Sequence, residues 1–335
     1  MIAQRLISQL AHVEVLTPSP QQTLDFFTDT LGLYESARAG QSVYLRGWGD
    51  YFHHSVILTE APDTGLGHIG WRSEGPDALS AAVERLEASG RGEGWRDADL
   101  GHGPAYRFTS PGGHEQEVFW EVERYQVPPE LASPFPARPQ RFVPRAITAR
   151  HLDHVTVHTF DVMEDAGWYG EKLGFRFMEW TTLGDEADTA VFAMITNNEK
   201  SHELGLLVDM TNVRGRVNHI AFWLDTSDEL HRAADILLNA GVEIEFGPGR
   251  HGMGEQEYLY FREPGGIRVE VNTGGYRNYQ PDWEPVKWVP WQGSNTMWKN
   301  LPAPASMMEG FPHAEIARAP RAPGEENPFE MVSVS

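Results

Sequence analysis

An internal duplication constrains this chain more than any other feature. The run AHVEVLTPSPQQTLDFFTDTLGL from Ala11 and the run DHVTVHTFDVMEDAGWYGEKLGF from Asp153 share one plan. Each places a histidine in an alternating strand-like stretch, then a helical stretch, then Leu-Gly and a large apolar residue. His12 lies 20 residues before Gly32, and His154 lies 20 before Gly174. Both glycines suit a helix C-terminal cap. HHSVILTE from His53 corresponds to SHELGLLVD from Ser201, and LGHIGW around His68 to VNHIAFW around His219. Amphipathic helix patterns follow, DALSAAVERLEASG and DELHRAADILLNAG, and then SPGGHEQEVFW parallels EPGGIRVEVN. Glu117 and Glu270 each stand six residues past the proline of that last motif.

Each half reads strand, helix, strands, helix, strands. Both the 2-residue and the 3.6-residue periods occur within one half, so the fold class is α+β. The sheets are expected to be mixed or antiparallel, with helices on one face and the other face curled around a cavity. VPPELASPFPARPQRFVPR from Val127 carries six prolines and reads as a linker, because proline continues neither a helix nor a central strand. The expected organisation is an N-terminal domain over 6–126, a linker over 127–149 and a C-terminal domain over 150–280. A tail over 281–335, with Trp283, Trp288, Trp291 and Trp298, shows neither period and is expected to wrap over a domain.

Composition narrows the chemistry. There is no cysteine, which removes disulfides, thiolate nucleophiles, iron–sulfur clusters and Cys-based zinc sites. A metal would need His, Asp, Glu or Tyr. The net charge of -21 opposes binding to nucleic-acid backbone or anionic membrane. No window reaches the roughly 18 apolar residues of a membrane span, and the first residues do not read as a signal peptide. A cytoplasmic protein is expected.

His154, His219 and Glu270 each sit inside a strand-like run. Alternate strand residues share a face, so His154 is expected to point inward with Thr156, and Glu270 with Arg268 and Asn272. Two imidazoles and a carboxylate converging on a cavity are a facial triad that suits non-haem Fe(II). The spacing alone does not fix the metal. Singly, each residue also has a plain structural reading, as a rim histidine or a solvated glutamate.

In order, LDHVTVH, KSHELGLL, VNHIAFWL, GPGRHG, YLYF and EPGGIRVEV resemble the type I extradiol ring-cleaving dioxygenases of the vicinal-oxygen-chelate superfamily. The likeness spans roughly residues 6 to 280. It implies duplicated βαβββ modules in two tandem domains. It also implies a catechol 2,3-dioxygenase-like activity that inserts both atoms of O2 into a small aromatic diol, giving a 2-hydroxymuconic semialdehyde-type product. By resemblance, His154, His219 and Glu270 hold Fe(II), with Mn(II) as the alternative. His202 is the acid/base near oxygen, and His251 and Tyr260 hydrogen-bond the substrate. A homo-oligomer, tetrameric by resemblance, is implied too. His202 in NNEKSHE reads as a surface residue without the family, and Tyr260 as strand packing.

The first half departs from the family's metal-free pattern. His12, His68 and Glu117 stand at the ligand positions, His54 parallels His202, and Arg107 stands where Tyr260 does. The first-half set is expected to be structural, with Arg107 paired to Glu117. Phe246 occupies a place where relatives acting on carboxylated catechols can carry arginine, which favours an uncharged substituent. Lys287, Lys299 and Arg277 are the other cations able to serve. Thr156 stands where some relatives carry an amide. Three other readings stay open: a hydroquinone or trihydroxybenzene dioxygenase with the same triad, a glyoxalase-like isomerase or lyase, and a metal-free binding protein.

Overall fold

The computed structural model describes residues 4–184, 189–299 and 302–317. The C-terminal part of the expected tail, 318–335, lies outside them. Two sheets dominate. The first holds β1 (Ile7–Thr17), β2 (Tyr34–Ala39), β3 (Ser42–Arg46), β4 (Val56–Glu60), β5 (Gly65–Ser73), β6 (Gly92–Arg96), β7 (Ala105–Thr109) and β8 (Glu115–Phe119). Its spatial order is β2-β3-β4-β1-β5-β8-β7-β6. Helix α1 (Pro20–Asp25) follows β1 and α2 (Pro76–Ala88) follows β5.

That order divides each half again. β1, α1, β2, β3, β4 form one βαβββ unit and β5, α2, β6, β7, β8 the next. The two meet where β1 runs antiparallel to β5. The second half repeats the plan with β9 (His151–Thr159), α3 (Val162–Leu173), β10 (Arg176–Thr182), β11 (Ala190–Thr196), β12 (Leu204–Val208), then β13 (Val217–Trp223), α4 (Ser227–Asn239), β14 (Ile244–Arg250), β15 (Gln256–Arg262) and β16 (Arg268–Gly274). The sheet order is β14-β15-β16-β13-β9-β12-β11-β10-β17. The edge strand β17 (Val286–Trp288) comes from the tail and runs parallel to β10.

Local signals explain the helix limits. Asp161 caps α3 by accepting from the Met163 and Glu164 amides, and Gly174 ends it in the left-handed region at φ 77. Thr226 and Glu229 form a reciprocal capping box at α4.

The helix-side faces of the two sheets share one apolar core. Phe27 of the first half faces Phe222 at 6.3 Å between ring centroids, and Trp71 meets Phe175 edge-on at 5.1 Å. Truncating a buried ring such as Phe222 to alanine costs ~3–5 kcal/mol. β9 is buried on both faces: Val155 and Val157 join the core, while His154 and Thr156 face a cavity. Among the described residues no helix is long and apolar enough to cross a membrane.

Candidate active site

The two central strands of the second sheet and one neighbour carry the ligand-type residues. Ala221 on β13 pairs with His154 on β9 and with Glu270 on β16, so these three share one rung and one face. His219 lies two residues before Ala221 and faces the same way. The His154 and His219 Nε2 atoms are 3.2 Å apart, and each lies 3.1 Å from Glu270 Oε2. All three side chains are buried, yet neither Glu270 oxygen carries a hydrogen bond.

The far side of each imidazole is fixed. His154 Nδ1 stands 2.8 Å from Asp153 Oδ2, and His219 Nδ1 donates to Asn218 Oδ1 at 2.7 Å. Such bonds leave the Nε2 lone pairs facing Glu270, which is how outer partners orient metal-bound histidines. Asp153 is itself held by Lys200 at 2.8 Å and Gln256 at 3.1 Å. Burial pulls His154 down, but Glu270 and Asp153 outweigh it and lift the imidazole to about 9. Burial leaves His219 at about 4 despite the same Glu270. A divalent cation between His154, His219 and Glu270 would face all three donors. Two nitrogens and a carboxylate oxygen about 3 Å apart fit an octahedral face with bonds of ~2.1 Å.

A cavity of about 400 Å³ opens on this face. His202, His251 and Tyr260 line it with the three ligand-type residues, as do Thr156, Phe192, Met194 and Met253. The His202 ring lies 4.1 Å from that of His154, and its Nδ1 is 3.2 Å from Ser201 Oγ. Burial first, and then His154, keep His202 well below its usual pKa and hence neutral. His251 Nδ1 donates to the Asn295 carbonyl at 2.5 Å. Its Nε2 therefore accepts from the Tyr260 hydroxyl at 3.0 Å.

The tail roofs the cavity. Pro290, Ser294, Asn295, Met307 and Met308 line it, and Phe311 bridges backbone to backbone with Val217. Asn218 also donates to the Met307 carbonyl at 2.8 Å, tying the roof to a ligand's partner. Glycine at 252 answers to this roof: a Cβ there would lie 2.4 Å from the Gly293 carbonyl oxygen.

In the first half, His12, His68 and Glu117 also come together, with Arg107 Nε 2.9 Å from Glu117 Oε2. Arg107 pairs with Glu117 across β7 and β8 as Tyr260 pairs with Glu270 across β15 and β16. His54 lies 5.1 Å from the His12 ring.

Residues 9–118 and 151–271 each match the model of the Glyoxalase/Bleomycin resistance protein/Dioxygenase superfamily. The chain belongs to that superfamily. Among superfamily members it is 38% identical over 283 residues to a metapyrocatechase of Geobacillus stearothermophilus, covering 84% of this chain and 86% of that protein. It is 34% identical over 286 residues to a manganese-dependent 2,3-dihydroxybiphenyl 1,2-dioxygenase of Geobacillus genomosp. 3, covering 84% and 90%. In three dimensions it resembles homoprotocatechuate 2,3-dioxygenase from Arthrobacter globiformis, with a TM-score of 0.79 and 25% identity over 92% of this chain and 93% of that one. Both superfamily matches fall on the sheet-forming segments, so the duplicated α+β plan read from the repeat and the vicinal-oxygen-chelate fold implied by the resemblance are the fold observed.

Sequence reasoning did not single out Asp153, Asn218, Lys200 or Gln256. The adjacency of Asp153 and Asn218 to histidines was the available signal.

Proposed function

We propose that the chain is an extradiol ring-cleaving dioxygenase acting on a catechol-type aromatic with O2, dependent on Fe(II) or Mn(II). Dioxygenase relatives over most of the chain, together with a His-His-Glu face opening on an apolar cavity, support that reading over an isomerase or a binding protein. The observation that carries the site is the buried Glu270 carboxylate, bare of hydrogen bonds and 3.1 Å from two oriented imidazoles.

In this reading His154, His219 and Glu270 would hold the metal, which would supply Lewis-acid chemistry that lowers the diol's pKa and a means of activating oxygen. The other residues bind and move protons. His202, neutral and bonded to Ser201 through Nδ1, accepts a proton from a substrate hydroxyl at Nε2 and later returns it to oxygen. The Tyr260 hydroxyl and His251 Nε2 turn from each other to the substrate's oxygens. Phe192, Met194 and Met253 stack against the ring and, with the roof, exclude water.

Among the described residues no Lys or Arg lines the cavity. Phe246 packs on Tyr258 and Tyr260, and Lys287 lies over Trp180. A carboxylated ring would bury an unpaired charge, so the substrate class is a catechol with an uncharged or apolar substituent. Oxygen uptake by Fe(II)-loaded protein tests this, comparing catechol and 3-methylcatechol with 3,4-dihydroxyphenylacetate. At least ten-fold higher kcat/KM for the uncharged diols is expected, and a preference for the carboxylated one would reverse the assignment.

The reading confines chemistry to residues 150–280, with 6–126 as a non-catalytic partner, 127–149 as linker and 281–335 as tail. It extends to a cytoplasmic homo-oligomer, for which sedimentation in solution is the check.

A further inference from the structure

The first half carries a side-chain cluster that the ring-cleavage reading does not use. We propose that His12, His68, His102 and Glu117 form a second, closed binding site for a divalent metal ion, of the zinc type, that stabilises the first half and takes no substrate. The proposal rests on this cluster alone and stands apart from the activity assigned to the second half.

Distances come first. His12 Nε2 lies 3.0 Å from His68 Nε2 and 3.1 Å from Glu117 Oε1. His68 Nε2 and His102 Nε2 lie 3.5 and 3.3 Å from the same oxygen. Four donors around zinc at bonds of ~2.0–2.1 Å sit about 3.3 Å from one another. The contacts that His12 and Glu117 make with the other two, 3.0 to 3.5 Å, bracket that edge length.

Orientation comes second. His68 Nδ1 is 2.8 Å from Glu14 Oε2, and His102 Nδ1 is 2.7 Å from the Gly103 carbonyl. A carbonyl only accepts, so the His102 proton sits on Nδ1 and its Nε2 presents a lone pair to the cluster. Glu117 is 1% exposed, its Oε2 is taken by Arg107, and its Oε1 carries no hydrogen bond. A proton on His12 Nε2 satisfies one of these contacts. It leaves the His102 nitrogen and the Glu117 oxygen facing each other with no proton between them. A divalent ion would satisfy that nitrogen and that oxygen together, and His12, His102 and Glu117 form a group whose donor atoms all lie within 4.8 Å of one another.

Charge agrees. Around the second-half face stand two carboxylates and one cation, Glu270, Asp153 and Lys200. Around the first-half cluster stand Glu117, Glu14 and Arg107. Arg107 offsets the extra carboxylate as Lys200 does, so its presence leaves the balance that would accept a +2 ion.

The two sites differ in closure. In the second half three ligand-type residues face a cavity. In the first, His102 arrives as a fourth from the loop before β7 and stacks on Phe119 at 4.5 Å. The His12 ring lies so flat on β5 that a Cβ at Gly70 would come within 2.3 Å of it. With His68 drawn in as the fourth donor, no position would stay open, which suits a structural rather than a catalytic site.

The test is metal content. Chain stripped by chelation is equilibrated with Zn(II), desalted, and its zinc per chain measured by plasma mass spectrometry. Two ions are expected in the parent and one in His219→Ala, which keeps the first-half site. Adding His102→Ala or the near-isosteric Glu117→Gln to that background should bring the count to zero. His102→Ala alone should hold one ion, melt at a lower temperature and, loaded with Fe(II), cleave catechol at near-parent rates. A His219→Ala chain without zinc, or a count untouched by both first-half changes, overturns the proposal.

Discussion

Asp153 and His154, neighbours in sequence, turn toward each other, with Asp153 Oδ2 2.8 Å from His154 Nδ1. A regular strand would send them to opposite faces. The pairing of β9 with β13 steps from His154 to Leu152 and skips Asp153, and a bulge of this kind re-aims a side chain.

Asp153→Asn should therefore weaken the metal rather than the fold. Loss of an outer partner typically costs 10–100-fold in metal affinity. Competition with a graded chelator reads this directly. Parent-like affinity in Asp153→Asn would remove Asp153 from the site.

His202→Phe is expected to retain one Fe(II) in the second half and to bind catechol, with kcat lower by ~10²–10⁴-fold. Tyr260→Phe loses one hydrogen bond and should fall less, about ten-fold. Rapid-mixing kinetics at saturating oxygen distinguish the two. A His202→Phe chain at parent speed would show that another group moves the proton.

Where the halves meet, Asp165 accepts from the Gly112 amide at 3.1 Å, and burial raises its carboxyl from 3.8 to about 7. Its folded value exceeds its unfolded value. Its support is thus complete below pH 3.8 and is lost as pH rises toward 7. Buried His114 has the opposite sign: burial lowers it to about 4, so its support is lost as pH falls from 6.5 toward that value. Asp165→Asn should raise the melting temperature above pH 7, by an amount worth at most ~4 kcal/mol, and have little effect at pH 4. Parallel melting curves for parent and variant across this range would count against the assignment.

Gly252→Ala should displace the roof, because the new Cβ would lie 2.4 Å from the Gly293 carbonyl oxygen. Bound Fe(II) should stay near one per second-half site while KM for catechol rises several-fold. Protease sensitivity around Gly293 should increase. Unchanged KM and cleavage pattern would mean the roof accommodates the methyl group.

The His154, His219 and Glu270 face was legible because alternation and duplication both point to it, and the rung through Ala221 realises it. Asp153 and Asn218 were hidden by bulges, which break the period that a strand reading depends on. His102 sits in the loop before β7, where no period exists, so its approach to Glu117 had no local sequence signature. The division of each half into two βαβββ units was already present in the strand, helix, strands, helix, strands reading, and the sheet order realises it. Val286–Trp288 is too short to show alternation, and its place beside β10 depends on a partner about a hundred residues away.

The roof over the cavity also sets an order of manufacture. A ribosome delivers every ligand-type residue of both halves before it delivers Pro290, Asn295, Met307 or Phe311. A nascent chain that has emerged through Gly274 contains all of both sheets except the edge strand β17, and its metal face is open to water. The covered cavity therefore exists only once translation has passed Phe311, and a message cut short before that point yields a chain with the His154, His219 and Glu270 face but without its cover.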